Sequence, residues 1–597
     1  MASTSTSLAP MASVTEAATG GRRAWLVARQ KINVEATILY AVSVSALIGV
    51  FILTHIFRHV AVRFGLTRSR NVLLLPLIAT TRAARRIFVR HLPGFTSTGH
   101  ALLVVTYVAL NLVFSLYRID HSRPTDLCSR FGWMATANMV LVVFLALKNT
   151  PLAILTAYSY ERLNVLHQIS GYTTLIYTIL HGCIYSAYFI NGGRVEVLHE
   201  DVVTAGIVLG FALLFSVLAG MILRRFNYEL FYIVHVVLFI VIAVTLGLHR
   251  PSFEHDQGLY AVVVLGALWF GDRLIRLCRL VYNSVNNEAN VYALPNGGTR
   301  IVLKKPLLRA RPGKHCYVWL PRIRAFETHP FTIVSSNPME LVINTYSGFT
   351  RDLHKYALEN PAADLKVSVE GPYGTIPDPL EYDKVVLVAG GSGATFTFGM
   401  AADMLGRMTE DSQQRIDFIW AVKKHDNLTW FTQHLSNLRS HTHAPKVALK
   451  VHITNFEPAA SSNTLEDAER APGAGTLTEV ISKSGLERGT DSEYPTFSAA
   501  ASSTATRYDS DKEERDMGQR SEVASSTSSV VDLPIIAGRP DTETEIKNAV
   551  QSLTKNQRVL IAACGPDSLT TVVRNVAASC ISVNGPGVEV HCEQFGW

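Results

Sequence analysis

LNVLHQISGYTTLIYTILHGC at residues 163–183 and ELFYIVHVVLFIVIAVTLGLH at residues 229–249 decide the fold. Each is an apolar run long enough to cross a bilayer core of about 30 Å, which takes about 20 residues. Each carries two histidines, His167 with His181 and His235 with His249, spaced 14 residues apart in both runs. At about 100° per residue, 14 steps end about 40° short of four whole turns, so each pair shares one helix face, about 21 Å apart along the axis. One crossing separates the two runs, so they run parallel. His167 is then expected level with His235, and His181 level with His249. Imidazoles facing each other across a helical bundle are the ligand set of a bis-His haem, which predicts two haems stacked across the membrane. A single intramembrane histidine packs or hydrogen-bonds as readily as it binds metal, and His55 and His100 are read that way. A pair repeated at equal spacing on parallel spans reads as functional. Gly171, one turn after His167, leaves room for a porphyrin close to the backbone.

Five further apolar runs surround these two, at about 36–57, 99–117, 131–147, 202–223 and 258–277. The last is interrupted by Asp272 and Arg273, and the run 71–79, which contains Pro76, is too short to span and reads as interfacial. The segment from Arg58 to Arg90 holds eight arginines: Arg58, Arg63, Arg68, Arg70, Arg82, Arg85, Arg86 and Arg90. Basic loops stay cytoplasmic, which puts the N-terminus outside and the polar C-terminal half inside. Arg22, Arg23, Arg29 and Lys31 pull the other way, and the larger cluster is taken to decide. The first 35 residues lack the continuous apolar core of a cleaved signal peptide.

Composition agrees with a membrane chain. Of 597 residues, 48% are hydrophobic and 17% charged, against roughly 25% charged in soluble domains; mean hydropathy is +0.20. The net charge of +7 is dispersed and argues against nucleic acid as a partner. Seven scattered cysteines exclude a disulfide scaffold, and no C-x-x-C pair suggests zinc.

From about residue 290 short runs rich in Val, Ile and Tyr (RIVLKK, KHCYVWL, FTIVSS, LVINTY, LKVSVEG) predict a small antiparallel barrel. After Asp383 the pattern becomes strand, glycine turn, helix in KVVLVAGGSGATFTFGMAADML, followed by strand RIDFIWAV, a helix over 427–440 and strand KVALKVHIT. This is an open α/β nucleotide-binding layout. Gly390, Gly391, Ser392 and Gly393 close the first strand and open a helix, where backbone amides can hold a pyrophosphate. They do not form the strict G-x-G-x-x-G fingerprint. Residues 456–530 are too polar to bury a core and read as a disordered insertion. Helices over 544–553 and 567–580, with strands RVLIAACG and VEVHCEQFGW, complete the chain.

The paired histidine spans, together with His329-Pro330-Phe331-Thr332, Gly390-Gly391-Ser392-Gly393, Cys564-Gly565-Pro566 and the terminal Phe595-Gly596-Trp597, resemble the fungal ferric reductases. These share a superfamily with the NADPH oxidases. The resemblance covers roughly 99–455 and 534–597. It implies a multidomain membrane protein: an N-terminal arm (1–35), a first span and basic loop (36–98) and a haem-binding helical bundle (99–280). An antiparallel FAD-binding barrel (285–382) and an α/β NADPH-binding domain of ferredoxin-reductase type (383–597) follow. It also implies site roles. His329, Pro330, Phe331 and Thr332 would meet the flavin, while Gly348 and Thr350 would hold the FAD pyrophosphate, with Arg351 beside them. Cys564, Gly565 and Pro566 would flank the nicotinamide, Trp597 would cover the isoalloxazine, and Lys423 with Lys424 would meet the 2′-phosphate of NADPH.

The implied function is transfer of electrons from cytosolic NADPH, by way of FAD and two b haems, to a ferric or cupric chelate outside. Flavin is needed because NADPH gives electrons in pairs and haem accepts them singly. Bis-His iron has no open coordination position, so the acceptor would be reduced without binding it. The alternative is an NADPH oxidase making superoxide. The plasma membrane is the expected location, with the vacuolar membrane as the other, and iron-uptake machinery is an expected partner.

Overall fold

The computed structural model describes residues 11–64, 75–156, 158, 160–249, 257–455, 474–476 and 534–593. Seven of its helices are long and apolar enough to cross a membrane: Ala24–Ala61, Thr98–Leu116, Pro124–Ala146, Arg162–Asn191, Asp201–Phe226, Tyr228–Leu248 and Gly258–Ser284. The first belongs to a helix that runs unbroken from Met11 to Arg63. The seventh passes through Asp272 and Arg273 without a break, and each side chain has a polar partner on another element. Asp272 accepts from the Asn149 backbone N–H (2.9 Å) and side-chain amide (3.0 Å), and Arg273 donates to the Tyr232 hydroxyl at 2.7 Å. The run 71–79 is described only from Leu75, where an amphipathic helix, Leu75–Phe88, begins.

Polar groups inside the bundle are paired among themselves. Asn138 accepts from the hydroxyls of Tyr40 (2.7 Å) and Tyr107 (2.6 Å) and donates to Asn111 (2.7 Å). Buried Arg130 donates to Asn33 and to the carbonyls of Phe114 and Tyr117. These bonds fix the first, second and third spans to one another where no water can satisfy a lone amide or guanidinium.

The polar half begins with strands β1 (Glu288–Leu294), β2 (Gly298–Leu303), β3 (His315–Trp319), β4 (His329–Ser336), β5 (Met339–Asn344), β6 (Asp364–Lys366) and β7 (Ser368–Tyr373). They form an antiparallel sheet in the order β6-β1-β2-β5-β4-β3-β7. The two edge strands β6 and β7 are separated in the chain by Val367 alone, so the sheet must curl until its edges meet, which is a barrel. Alternating inward residues such as Ile301, Leu303, Val318, Ile333 and Leu341 fill it. Helix Phe349–Glu359 closes one side with Phe349, Leu353 and Ala357, spaced at i, i+4 and i+8.

A second sheet holds β8 (Lys384–Gly390), β9 (Arg415–Val422), β10 (Val447–Ile453), β11 (Ala474–Thr476), β12 (Pro534–Ala537), β13 (Arg558–Cys564) and β14 (Gly587–Glu593). Its order is β11-β12-β10-β9-β8-β13-β14, parallel except for the β11 edge. The helix expected over 427–440 is a 3₁₀ segment, His425–Phe431, followed by an α-helix, Thr432–Ser440. Helices Thr542–Gln551 and Asp567–Cys580 cover the opposite face. Apart from 474–476, the insertion 456–530 lies outside the described residues.

Polar contacts on two flanks join the halves. Arg276, at the end of the seventh span, forms a buried ion pair with Glu370 of β7 at 2.8 Å. Burial works against the Glu370 charge, but the hydrogen bond and charge of Arg276 outweigh it and hold the carboxyl below its ordinary range. On the other flank, Arg58 (2.7 Å) and Arg85 (2.9 Å) share Glu589 of β14. Arg82 donates to the carbonyls of Val583 (2.7 Å) and Gly585 (2.8 Å), and the His91 N–H to Asn575 at 3.1 Å.

Candidate redox site

The four histidines of the fourth and sixth spans meet in two layers. The ring centres of His167 and His235 are 6.2 Å apart, and those of His181 and His249 are 6.0 Å apart. An imidazole nitrogen holds a first-row metal at about 2 Å with its ring centre about 1.2 Å further back, so two axial imidazoles on one metal sit roughly 6.4 Å apart. Both layers fit that spacing.

Each ring is oriented through Nδ1. His167 donates to the Val142 carbonyl (2.9 Å), His181 to the Cys128 carbonyl (2.9 Å) and His249 to the Val202 carbonyl (2.7 Å). A carbonyl only accepts, so in these three rings Nδ1 carries the proton and Nε2 keeps its lone pair. His235 Nδ1 meets the Ser216 hydroxyl at 2.9 Å, just before a π-helical segment, Ala219–Leu223, in the fifth span. Fixing one ring nitrogen so that the other can bind metal is the usual outer-shell arrangement of a histidine ligand. Two glycines complete the cradle of the second layer. A Cβ at Gly132 would lie 2.8 Å from the His181 ring, and one at Gly206 would overlap the His249 ring. The residues therefore fit two metal porphyrins held by facing imidazoles. A Cβ at Gly171 would meet nothing within 4 Å.

Glu229 opens the sixth span, and its carboxylate would stand 3.1 Å from a Cβ at Gly348 of the barrel. The His167–His235 layer is thus on the side of the barrel, and the His181–His249 layer on the far side. Gly348 has φ +77, a conformation that favours glycine, and is the N-cap of helix Phe349–Glu359. Thr350 closes the preceding turn, accepting from the Tyr346 N–H at 2.8 Å, and Arg351 is exposed.

The His329 ring stacks on Phe349 at 4.2 Å, and the Phe331 ring lies 6.1 Å from the same phenylalanine. Pro330 stands between them on β4, and Thr332 is buried, paired across the sheet with His315. Burial lowers His329 to about 4, leaving the imidazole neutral; its Nε2 is 3.2 Å from Glu327. Glu229, Glu327 and His329 bring their ligand-type atoms within 4.8 Å of one another. Sequence reading did not anticipate this grouping, since its members come from a span and, about 100 residues later, from the start of β4 and the loop before it.

In the parallel sheet the order reverses between β8 and β13, whose ends pair Ala389 with Cys564. Such a switch point opens a crevice at the carboxyl ends of the strands. The two glycine-containing motifs face each other there. A Cβ on Gly390 would strike Pro566 at 2.8 Å, and one on Gly393 would overlap the Cys564 carbonyl. Gly391 has φ +57 and Gly565 φ +159. Ser392 lies in the 3₁₀ turn Gly391–Gly393, ahead of helix Ala394–Arg407. Cys564 is wholly buried, and burial pushes its thiol well above the ordinary value, so it is a neutral wall of the crevice. Lys423 and Lys424 follow β9 directly and are exposed, without an ion pair among the described residues. Trp597 lies outside the described residues.

Three family models match successive parts of this chain. Residues 131–246 match the ferric reductase like transmembrane component, 282–376 the FAD-binding domain, and 382–578 the ferric reductase NAD binding domain. The chain is 25% identical over 454 residues to "Ferric reductase transmembrane component 3" of Saccharomyces cerevisiae, covering 71% of this chain and 62% of that one. It is 26% identical over 433 residues to "Probable cell surface ferric reductase kap2" of Aspergillus oryzae, covering 64% and 57%. It is 24% identical over 556 residues to "Ferric reductase transmembrane component 4" of Saccharomyces cerevisiae, covering 88% and 72%. The chain spans 62% and 57% of the length of the first two relatives.

Proposed function

We propose that this chain, a multi-pass membrane protein with a ferric-reductase-like transmembrane component followed by FAD-binding and NAD-binding domains, is an NADPH-dependent metalloreductase. It reduces ferric or cupric chelates on the face of the membrane opposite its nucleotide domain. The observation that carries this reading is the pair of facing imidazole layers, each 6.0–6.2 Å between ring centres and each oriented through Nδ1.

His167 with His235, and His181 with His249, would each hold a b haem. When bound, FAD turns the electron pair of a hydride into single electrons, and haem carries them singly through the bilayer. The chain's own residues bind and orient. The crevice between Gly390–Gly393 and Cys564–Pro566 receives the nicotinamide end of NADPH, with Lys423 and Lys424 beside the 2′-phosphate. Phe331 and Thr332 on β4 shape the isoalloxazine site, flanked by His329 and Pro330. Gly348 and Thr350, at the start of helix Phe349–Glu359, offer backbone amides to the FAD pyrophosphate. Because Cys564 and His329 are both neutral, neither adds charge beside the flavin. The plasma membrane is the proposed location, and an iron-uptake system the proposed consumer of the product.

The test is reduction of a membrane-impermeant ferric chelate by intact cells expressing the chain, with and without superoxide dismutase. Reduction that resists the dismutase supports a metalloreductase. Strong suppression would make superoxide the carrier and the chain an oxidase.

A further inference from the structure

The fourth span continues beyond His181 to Asn191, and Tyr185 and Phe189 follow the histidine at i+4 and i+8 on the same face. The Tyr185 ring lies 5.1 Å from His181, edge on, and Phe189 stacks on Tyr185 at 5.8 Å with planes 13° apart. The helix ends at Gly192-Gly193, where Gly193 has φ +66. The chain turns back so that the Arg194 N–H donates to the Phe189 carbonyl at 2.8 Å. This closure sets the Arg194 guanidinium over the Phe189 ring, 5.3 Å from its centre. A continuous strip thus leads from a second-layer histidine to a cation at the far side of the membrane.

The other arginines whose side chains are described on that side are committed. Arg29 pairs with Asp126 (3.7 Å), Arg118 with Glu35 (3.1 Å) and Arg123 with Asp120 (3.6 Å), while Arg130 is buried among Asn33 and backbone carbonyls. Arg194 forms no ion pair or side-chain hydrogen bond among the described residues. Glu196, Glu200 and Asp201 follow on the same loop, yet none lies within ion-pair distance of it. A guanidinium resting on a ring is weakly hydrated and keeps its planar donor edge for a carboxylate.

We propose that Arg194, seated on Phe189 and Tyr185, is the docking site of the acceptor, and that it selects small Fe(III) complexes of net negative charge with carboxylate arms. This rests on the metalloreductase reading and deepens it. Docking there brings the metal complex against the strip that ends on His181; one electron converts Fe(III) to Fe(II), and no bond is made or broken in the chain.

The test compares Arg194→Glu with Arg123→Glu, a charge reversal on the same side, in purified holoenzyme. Arg194→Glu is expected to raise KM for Fe(III)–EDTA at least about fivefold with kcat little changed. That rise should shrink as salt is added, since the contact is solvent-facing. Binding of redox-inert Ga(III)–EDTA should weaken in parallel, whereas Arg123→Glu should move neither quantity. Unchanged values, or equal shifts in both variants, overturn the proposal. A wild type that reduces no chelate would sink the metalloreductase reading instead, and Ga(III)–EDTA binding would still decide whether Arg194 docks the anion.

Discussion

Replacing Gly132 by alanine tests the second imidazole layer with a single methyl group. The Cβ that Gly132→Ala adds would stand 2.8 Å from both Cε1 and Nδ1 of His181. Non-bonded carbons settle at about 3.5–4.0 Å, so the ring would have to retreat by about 0.7 Å or more. Its freedom to do so is small. Nδ1 is held by the Cys128 carbonyl at 2.9 Å, and Tyr185 stands 5.1 Å away on another side. Metal ligands tolerate about ±0.2 Å, and overpacking of this kind costs about 1–3 kcal/mol. That weakens the hold on the group between His181 and His249 by roughly 5- to 150-fold. The His167–His235 layer, about 21 Å away along the helix, should be untouched. The assay is haem per chain by pyridine haemochrome, with a potentiometric titration to count redox waves. Gly132→Ala is expected to fall from two haems toward one and to lose one wave. Gly266→Ala, where a Cβ meets nothing within 4 Å, should keep both. Two retained haems with two unshifted waves in Gly132→Ala would refute the ligand role of His181 in this orientation.

Three further outcomes are expected. His235→Ala should abolish the absorbance of the haem on the barrel side, and an unaltered low-spin spectrum would overturn the pairing with His167. Lys423→Ala combined with Lys424→Ala should erode the preference for NADPH over NADH in steady-state kinetics; an intact preference removes the phosphate assignment. Glu589 is opposed by burial but held at about 2, below its ordinary 4.5, by Arg85 and Arg58. A depressed carboxyl contributes stability above its ordinary value and loses it as pH falls through the folded one. Glu589→Gln should therefore melt earlier at neutral pH, by an amount of the order of 3 kcal/mol. The gap to wild type should narrow as pH drops from 4.5 toward 2, and a gap indifferent to pH in calorimetry would count against the ion pair.

What could be read from the chain was whatever repeats with the period of its own element. The 14-residue spacing puts His167 and His181 on one face, and the apolar strand before Gly390 announces a turn at the carboxyl end of a central strand. What could not be read depends on partners distant in sequence. Asp272 and Arg273 read as an interruption of the last span because Asn149 and Tyr232, which bond to them, lie elsewhere in the chain. Gly132 and Gly206 look ordinary in apolar runs until a ring from another helix is set against them. The carbonyls of Val142, Cys128 and Val202 leave no mark in sequence, since every residue has one. The helix expected over 427–440 starts late because His425–Phe431 takes the tighter 3₁₀ path.

The eight arginines from Arg58 to Arg90 entered as a sign of topology, but three of them also grip the nucleotide domain. Arg58, Arg82 and Arg85 seize one rim of the parallel sheet at β14 and the turn before it, while Arg276 of the seventh span fastens the neighbouring barrel through Glu370 of β7. A polar half tethered through both of its sheets is held against swinging off the bilayer as one rigid flap. The expected consequence is that dinucleotide exchange needs only small displacements within the crevice, so that a covalent staple between positions 85 and 589 leaves turnover intact.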